Sequence, residues 1–94
     1  MRTIKRSSAF KRDYKRVKAT PRHRGDIDAL LFDILALLID EQPLPEKNRD
    51  HALSGDWSGY RDCHVKPDLV LIYSTPAADI LKLARLGSHS EIFG

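Results

Sequence analysis

The fold is decided by the stretch Leu69-Val70-Leu71-Ile72-Tyr73, a short and unbroken apolar run. Turn-forming residues bound it on both sides, at positions 65–68 before it and 74–77 after it. An apolar run of this length between two turn signals predicts a strand. The two turns predict that this strand connects directly to a strand on either side.

Weaker strand signals lie where those neighbours are expected. Trp57, Tyr60 and Arg61 predict a strand before the apolar run, and residues 79–86 predict one after it. Short connections between successive strands favour antiparallel pairing. The second half of the chain therefore predicts a small antiparallel or mixed sheet.

The first half of the chain has helical periodicity instead. Thr3 and Ile4 predict the end of a short first strand, and Ser7 or Ser8 can cap a helix that follows it. That helix ends before Pro21. The basic residues of this helix lie largely on one face, and three apolar residues share the other face: Phe10, Tyr14 and Val17.

A second helix begins at Gly25 and Asp26, with Asp26 placed to cap it. It ends at Gln42-Pro43-Leu44-Pro45, because proline cannot continue a helix. Its apolar residues follow the helical period over three turns and predict that it is mostly buried: Ile27, Leu30, Leu31, Ile34, Leu35 and Leu38. A partner-helix role for this stripe is the less favoured interpretation.

These elements predict one α+β domain over residues 1–94, with the order β-α-α-β-β-β and two helices packed on one face of the sheet. A chain of 94 residues has room for one modest core and no second catalytic domain. The longest apolar run, residues 29–39, is interrupted by Asp33 and is too short to span a bilayer. Residues 1–25 carry no apolar signal segment, and the single cysteine, Cys63, excludes an intramolecular disulfide. We expect a cytoplasmic protein without membrane contacts.

The charge is unevenly distributed. Residues 1–25 hold ten Lys or Arg and one acid, which gives a net charge of +9. The other 69 residues hold six Lys or Arg and twelve Asp or Glu, which gives a net charge of −6. Such asymmetry favours a polyanionic partner such as a nucleic acid, although a solvated helix face would also produce it. The predicted phosphate contacts lie on the first helix: Lys11, Arg12, Lys15, Arg16 and Lys18.

Three of the four histidines fall in the second half of the chain, at His51, His64 and His89. An unperturbed imidazole has a pKa of about 6.5, so one ring can accept a proton while another donates one near neutral pH. Such a pair can cleave a phosphodiester without a metal ion. His23 lies apart from this set and is predicted to be a solvated surface residue.

The second half of the sequence resembles the YafQ branch of the RelE/ParE toxin superfamily. Separate anchors at matching spacing carry the resemblance: His51-Ala52-Leu53, the stretch from Trp57 to His64, Lys66-Pro67-Asp68, Ile72-Tyr73, the stretch from Arg85 to Ser90, and Phe93. Residues 1–49 match mainly by element order. The resemblance implies a RelE-like fold and a bacterial type II toxin that cleaves mRNA, generally on the ribosome, and is neutralised by a co-encoded antitoxin.

The same resemblance implies a set of site residues. Its active-site positions are His51, His64, Asp68, His89 and Phe93, with Arg85 close to the scissile phosphate and Lys66 as a further RNA contact. We expect His89 to be the general acid, Arg85 to stabilise charge, and either His64 or Asp68 to be the general base. His51 would then orient the substrate or tune its neighbours. Phe93 could equally stack on a base or pack in the core, whereas Trp57 and Tyr60 are more typical of core residues.

Two other functions are compatible with these residues. A zinc site could use His51, Cys63, His64, Asp68 and His89, but Cys63 and His64 are adjacent and point to opposite faces of a strand. We therefore expect no metal and no cofactor. A non-catalytic ParE-like protein that inhibits a target or binds an antitoxin is the alternative, and the three histidines argue against it.

Overall fold

The computed structural model describes residues 1–94 and contains five strands and four helices. The strands are β1 (Thr3–Arg6), β2 (His51–Ala52), β3 (Arg61–Lys66), β4 (Leu69–Ala77) and β5 (Ile80–Gly87). The helices are α1 (Ser8–Ala19), α2 (Pro21–Arg24), α3 (Ile27–Ile39) and α4 (His89–Phe93). Two 3₁₀ turns, Glu46–Asn48 and Gly55–Trp57, flank β2.

The strands form one mixed sheet in the order β1-β5-β4-β3-β2. β1 pairs with β5 in parallel, and the other pairs are antiparallel. The predicted α+β class is confirmed, and the predicted order is present with three additional short elements, α2, β2 and α4.

The main core lies between the sheet and the two long helices. Alternate residues of β4 point into it, so Leu69, Leu71 and Tyr73 are all buried against α1 and α3. The helices supply a second set of buried side chains: Phe10, Val17, Ile27, Leu31, Ile34 and Leu38. The expectation of two helices on one face of the sheet is therefore confirmed.

The opposite face of the sheet carries a smaller apolar cluster. Val70, Ile72 and Ala84 are buried there, under Leu53, Trp57, Tyr60 and Ile92. Because both faces of β4 are covered, its apolar residues are continuous rather than alternating. Trp57 and Tyr60 pack on this cluster, as their predicted core role requires.

The predicted cap of α1 is present, whereas that of α3 is not. The Ser7 hydroxyl accepts a hydrogen bond from the Phe10 amide at 2.9 Å and donates to the Ala84 carbonyl at 2.7 Å. Asp26 holds the N-cap position of α3 but makes no capping bond, because its carboxylate forms an ion pair with Lys66 at 2.9 Å.

Several predicted element boundaries are wrong. Trp57 lies in a 3₁₀ turn and Tyr60 outside any strand, so β3 begins only at Arg61. The predicted turn over residues 74–77 belongs to β4, and the chain reverses at residues 78–79. Pro76 is tolerated in this strand because β3 pairs with β4 only as far as Tyr73, and the register with β5 shifts between Ser74 and Ala77.

The expectation of a solvated His23 is also wrong. Pro21 opens the short helix α2 instead of only ending α1, since proline suits the first position of a helix. This turn of helix buries His23, whose Nδ1 lies 3.2 Å from Nζ of Lys66. Replacing His23 is therefore expected to change stability.

None of the helices has the length and apolar character needed to cross a bilayer.

Candidate active site

The three predicted histidines meet on the face of the sheet away from α1 and α3. Cys63 and Val65 of β3 point into the main core, so Asp62 and His64, which alternate with them, point to the other side. β2 pairs with β3 in a register that places His51 opposite Asp62. α4 follows β5 directly and begins at His89.

Ring contacts connect the histidines to two aromatic residues. The ring centroids of His64 and His89 are 5.4 Å apart. On its other side, His89 stacks with Phe93 at 5.5 Å, and Phe93 meets the edge of Trp57 at 5.9 Å. Phe93 is 40% exposed, so it forms part of the surface of the site.

Asp62 is the buried acid of this site. The residue is 1% exposed, with Oδ1 3.1 Å from Nδ1 of His51 and Oδ2 3.6 Å from Nε2 of His89. The side chains of both histidines are 54% exposed, so each can reach a ligand from the solvent side. A carboxylate in this position places negative charge beside both imidazoles.

The tautomer of His51 is fixed by the backbone. Its Nδ1 lies 2.8 Å from the carbonyl oxygen of Arg49, which can only accept a hydrogen bond, so Nδ1 carries the proton. That proton is directed at Arg49, and although Asp62 Oδ1 is close, it receives no hydrogen bond. In the neutral ring, Nε2 of His51 is then free to accept a proton.

The turn before β2 holds this arrangement in place. Arg49 has a left-handed backbone, with φ of 48° and ψ of 45°, which is uncommon for a residue other than glycine and directs its carbonyl towards His51. Asn48 is buried and donates to the carbonyl of His64 at 2.8 Å. One short turn thus contacts two of the three histidine positions.

Asp50 anchors the same turn from the other side. It accepts hydrogen bonds from the Tyr73 hydroxyl at 2.5 Å and from Arg61 at 3.3 Å through both Nε and Nη2. Burial and the bond to Asp50 raise the pKa of Tyr73, so its hydroxyl stays protonated and continues to donate. The position of His51 therefore depends on core residues.

Three predicted site residues have their principal contacts elsewhere. Asp68 is exposed in the β3–β4 turn and pairs with Arg22 at 3.3 Å. Arg85 donates hydrogen bonds to the Asp13 carboxylate, from Nε at 2.6 Å and from Nη2 at 3.3 Å. Lys66 donates to the Arg22 carbonyl at 2.8 Å and pairs with Asp26 at 2.9 Å.

A β-bulge explains the direction of Lys66. His64 pairs with Val70 and Lys66 with Leu69, so Val65 is an extra residue in β3. The bulge shifts the alternation of side chains, and Lys66 points to the same side as Val65, towards α2. Nothing in the sequence pattern marks this shift.

The basic residues of α1 divide into two groups. Lys11, Arg12 and Lys15 are exposed and form no ion pair, so they remain available to phosphates. Lys18 pairs with Asp28, and Arg16 contacts Asp13, Leu86 and Glu91.

The side chains offer no cluster of three or more His, Cys, Asp or Glu residues arranged to hold a metal ion. Cys63 points into the core away from the histidines, and burial raises the pKa of its thiol, which disfavours the thiolate that metals bind.

Comparison with known proteins assigns the family. A family described as the bacterial toxin of type II toxin-antitoxin system, YafQ, matches residues 2–94. The Escherichia coli K12 protein named mRNA interferase toxin YafQ is 39% identical over 93 residues, which are 99% of this chain and 97% of that protein. The chain belongs to the YafQ toxin family.

Solved structures of two bacterial toxins have the same fold. A metal-bound toxin from Helicobacter pylori is 40% identical and superimposes with a TM-score of 0.83, covering 99% of this chain and 100% of that chain. YafQ in the Escherichia coli DinJ-YafQ complex is 35% identical with a TM-score of 0.80, and the match covers 100% of both chains. The resemblance to the YafQ branch is therefore confirmed.

The structure adds residues to this candidate site that the sequence did not indicate. Asp62 lies two residues before His64 on one strand, a spacing that puts both on the same face, so it could have been found. Asn48 and Arg49 gave no signal, because their contribution depends on a backbone conformation and on contacts far along the chain.

Proposed function

We propose that this chain is the toxin component of a type II toxin–antitoxin system: a single-domain, metal-independent endoribonuclease that cleaves mRNA in the cytoplasm, associated with the ribosome. The observation that carries the proposal is the contact of the His64 and His89 rings beside a buried Asp62 that also adjoins His51. This set can move protons in both directions without a metal.

The substrate supplies its own nucleophile. The ribose 2′-oxygen loses its proton to a base and bonds to phosphorus, while the bond from phosphorus to the 5′-oxygen breaks and an acid protonates that oxygen. The products are a 2′,3′-cyclic phosphate and a 5′-hydroxyl. No water and no metal ion enter this step.

We assign the acid to His89 and the base to His51. His89 is half-exposed and its ring lies between those of His64 and Phe93, where it can reach the leaving oxygen, whereas the Nδ1 bond of His51 leaves Nε2 as an acceptor. The sequence expectation was His64 or Asp68 as base; Asp68 forms an exposed ion pair with Arg22 in the β3–β4 turn. His64 faces His89 and is placed to contribute charge at the phosphate.

Phe93 and Arg85 have supporting roles. Phe93 stacks on His89 and is partly exposed, which suits it to hold a base of the RNA next to the acid. Arg85 uses Nε and Nη2 on Asp13, so its remaining Nη1 is the group that can approach the phosphate.

A cognate antitoxin is the expected protein partner. The crystallised complex of DinJ with a YafQ that covers this entire chain supports this part of the proposal. The name of the Escherichia coli relative, an mRNA interferase, supports the reaction class.

The test is cleavage of ribosome-bound mRNA by the purified protein in excess EDTA, with analysis of the new ends. We expect full activity and a downstream fragment that carries a 5′-hydroxyl. Activity that EDTA abolishes and zinc or copper restores, or a 5′-phosphate end, would refute the proposed chemistry.

A further inference from the structure

Asp13 is a buried acid in the middle of the basic helix α1. It is 3% exposed and accepts hydrogen bonds from Arg85 at 2.6 Å, Arg16 at 2.9 Å and the Leu86 amide at 3.0 Å. Burial opposes its charge, but these donors outweigh burial and lower the pKa of Asp13. The carboxylate therefore stays charged and connects α1 to β5.

Arg16 extends this connection to the C-terminal helix. Its Nη1 binds Asp13 of α1, its Nη2 donates to the Leu86 carbonyl of β5 at 3.1 Å, and its Nε lies 3.3 Å from Glu91 of α4. A planar guanidinium can serve three elements at once because its donors point in fixed directions. A lysine at this position keeps the charge but loses that geometry.

Glu91 is shared between two tasks. Its Oε1 accepts a hydrogen bond from the Ser88 amide at 2.9 Å, and the Ser88 hydroxyl accepts one from the Glu91 amide at 3.2 Å. These two hydrogen bonds form a capping box. Its Oε2 faces Arg16. The residue that completes the cap of α4 is thus also the residue that attaches the helix to α1.

The backbone at residue 87 lies close to both partners of this attachment. A Cβ at Gly87 would lie 3.0 Å from Nη2 of Arg16 and 3.2 Å from Oε1 of Glu91, so each side chain would have to shift by a few tenths of an ångström. Arg16, Gly87 and Glu91 are therefore closely packed against one another.

A helix as short as α4 does not hold its shape alone. It has five residues, and isolated helices shorter than about 12 residues are marginal in water. Yet it carries His89 and Phe93, whose rings must be placed accurately against His64. Its position has to come from outside the helix.

We propose that Asp13 and Arg16 are positioning residues for cleavage: they hold α4, and with it His89, at the reacting phosphate, and Asp13 also aims Arg85. The inference rests on the proposed function, because it takes His89 as the acid. It gives Arg16, which the sequence predicted only as an RNA contact, a role in positioning α4.

The substitution Arg16→Lys separates this role from RNA binding, because a phosphate contact tolerates lysine and a three-way guanidinium contact does not. We expect Arg16→Lys to lower kcat by about 10- to 100-fold with KM within a few-fold, since small misplacements of a reacting group cost this much. Amide hydrogen exchange in α4 should accelerate. Arg24→Lys, at an exposed arginine outside these contacts, is the matched control and should leave both quantities unchanged.

Glu91→Gln provides a second route that leaves α1 and the core intact. It removes the charge that faces Arg16 and is expected to reproduce the kcat loss and the faster exchange, with thermal unfolding of the rest of the protein close to wild type. Normal kcat in both Arg16→Lys and Glu91→Gln would overturn the inference.

The two proposals fail in different ways. If His89→Ala abolishes cleavage but Arg16→Lys and Glu91→Gln are fully active, only the positioning role is wrong. If His89→Ala itself cleaves normally, the assignment of the acid is wrong and the positioning role loses its basis.

Discussion

The two faces of the sheet carry different functions. The face under α1 and α3 is lined by a continuous apolar cluster, whereas the other face combines a small apolar cluster with three histidines and a buried aspartate. β3 serves both, since Cys63 and Val65 point to the core and Asp62 and His64 to the site. The period of two residues in a strand thus separates folding from chemistry within one short segment.

The largest expected effect is on the histidine face. His89→Ala removes the proposed acid, and general acid–base catalysis typically contributes about 10²- to 10⁴-fold, so the single-turnover rate should fall by that factor. The thermal unfolding temperature and RNA affinity should stay near wild type. Asp40→Ala, at the end of α3 and away from the site, is the control. His64→Ala should behave like His89→Ala, and wild-type rates in both would break the division between the two faces.

On the core face the opposite pattern is expected. Leu71 is fully buried under the helices, and Leu→Ala at such a site costs about 2–5 kcal/mol in the free energy of unfolding. Denaturant titration of Leu71→Ala measures this loss. The cleavage rate per folded molecule should be unchanged, because Leu71 takes no part in the polar contacts that hold His51 and α4. A large drop in that rate would show that apolar packing at Leu71 also controls the chemistry.

Asp13, which connects α1 to β5, predicts a pH effect on stability. Its pKa is lowered in the folded protein, so its contribution is present above the unfolded pKa of about 3.8 and is lost as pH falls through the lower folded value. The stability difference between wild type and Asp13→Asn should therefore shrink as pH is lowered below about 4. A difference that is constant from pH 7 to pH 2 would contradict the lowered pKa.

The smallest expected effect concerns the exposed side of α1. Replacing Lys11, Arg12 and Lys15 with Gln should weaken binding to RNA. The slope of log K against log salt should become shallower by about 0.7 for each single-strand phosphate that is no longer neutralised. The fold should be unaffected. An unchanged slope would mean that this face is solvated, or that it serves the antitoxin.

The elements that were predictable from sequence are those with a long periodic signal. The apolar run of β4 and the stripes of α1 and α3 each bury several side chains, so pattern and structure agree. α2, β2 and α4 have four, two and five residues. Elements this short have no periodicity of their own, because contacts with distant parts of the chain define them.

The site was predictable to a different extent. His51, His64, His89 and Phe93 were selected by chemistry and resemblance, and the structure brings them together. The bulge that turns Lys66 towards α2 and the left-handed Arg49 arise from tertiary packing, which a local pattern does not encode. The sequence pattern predicts that a charged residue such as Arg16 lies on the surface and contacts a ligand. It does not show that the partners of Arg16, Leu86 and Glu91, lie far along the chain.

The most direct test of the acid–base account is the rate of RNA cleavage against pH, in EDTA, for wild type, His51→Ala and His89→Ala. We predict a bell-shaped profile for wild type, because the base must be deprotonated and the acid protonated. His51→Ala should lose the rising limb and His89→Ala the falling limb, each with a lower rate throughout. Profiles that keep both limbs in both variants would contradict proton transfer by these two histidines.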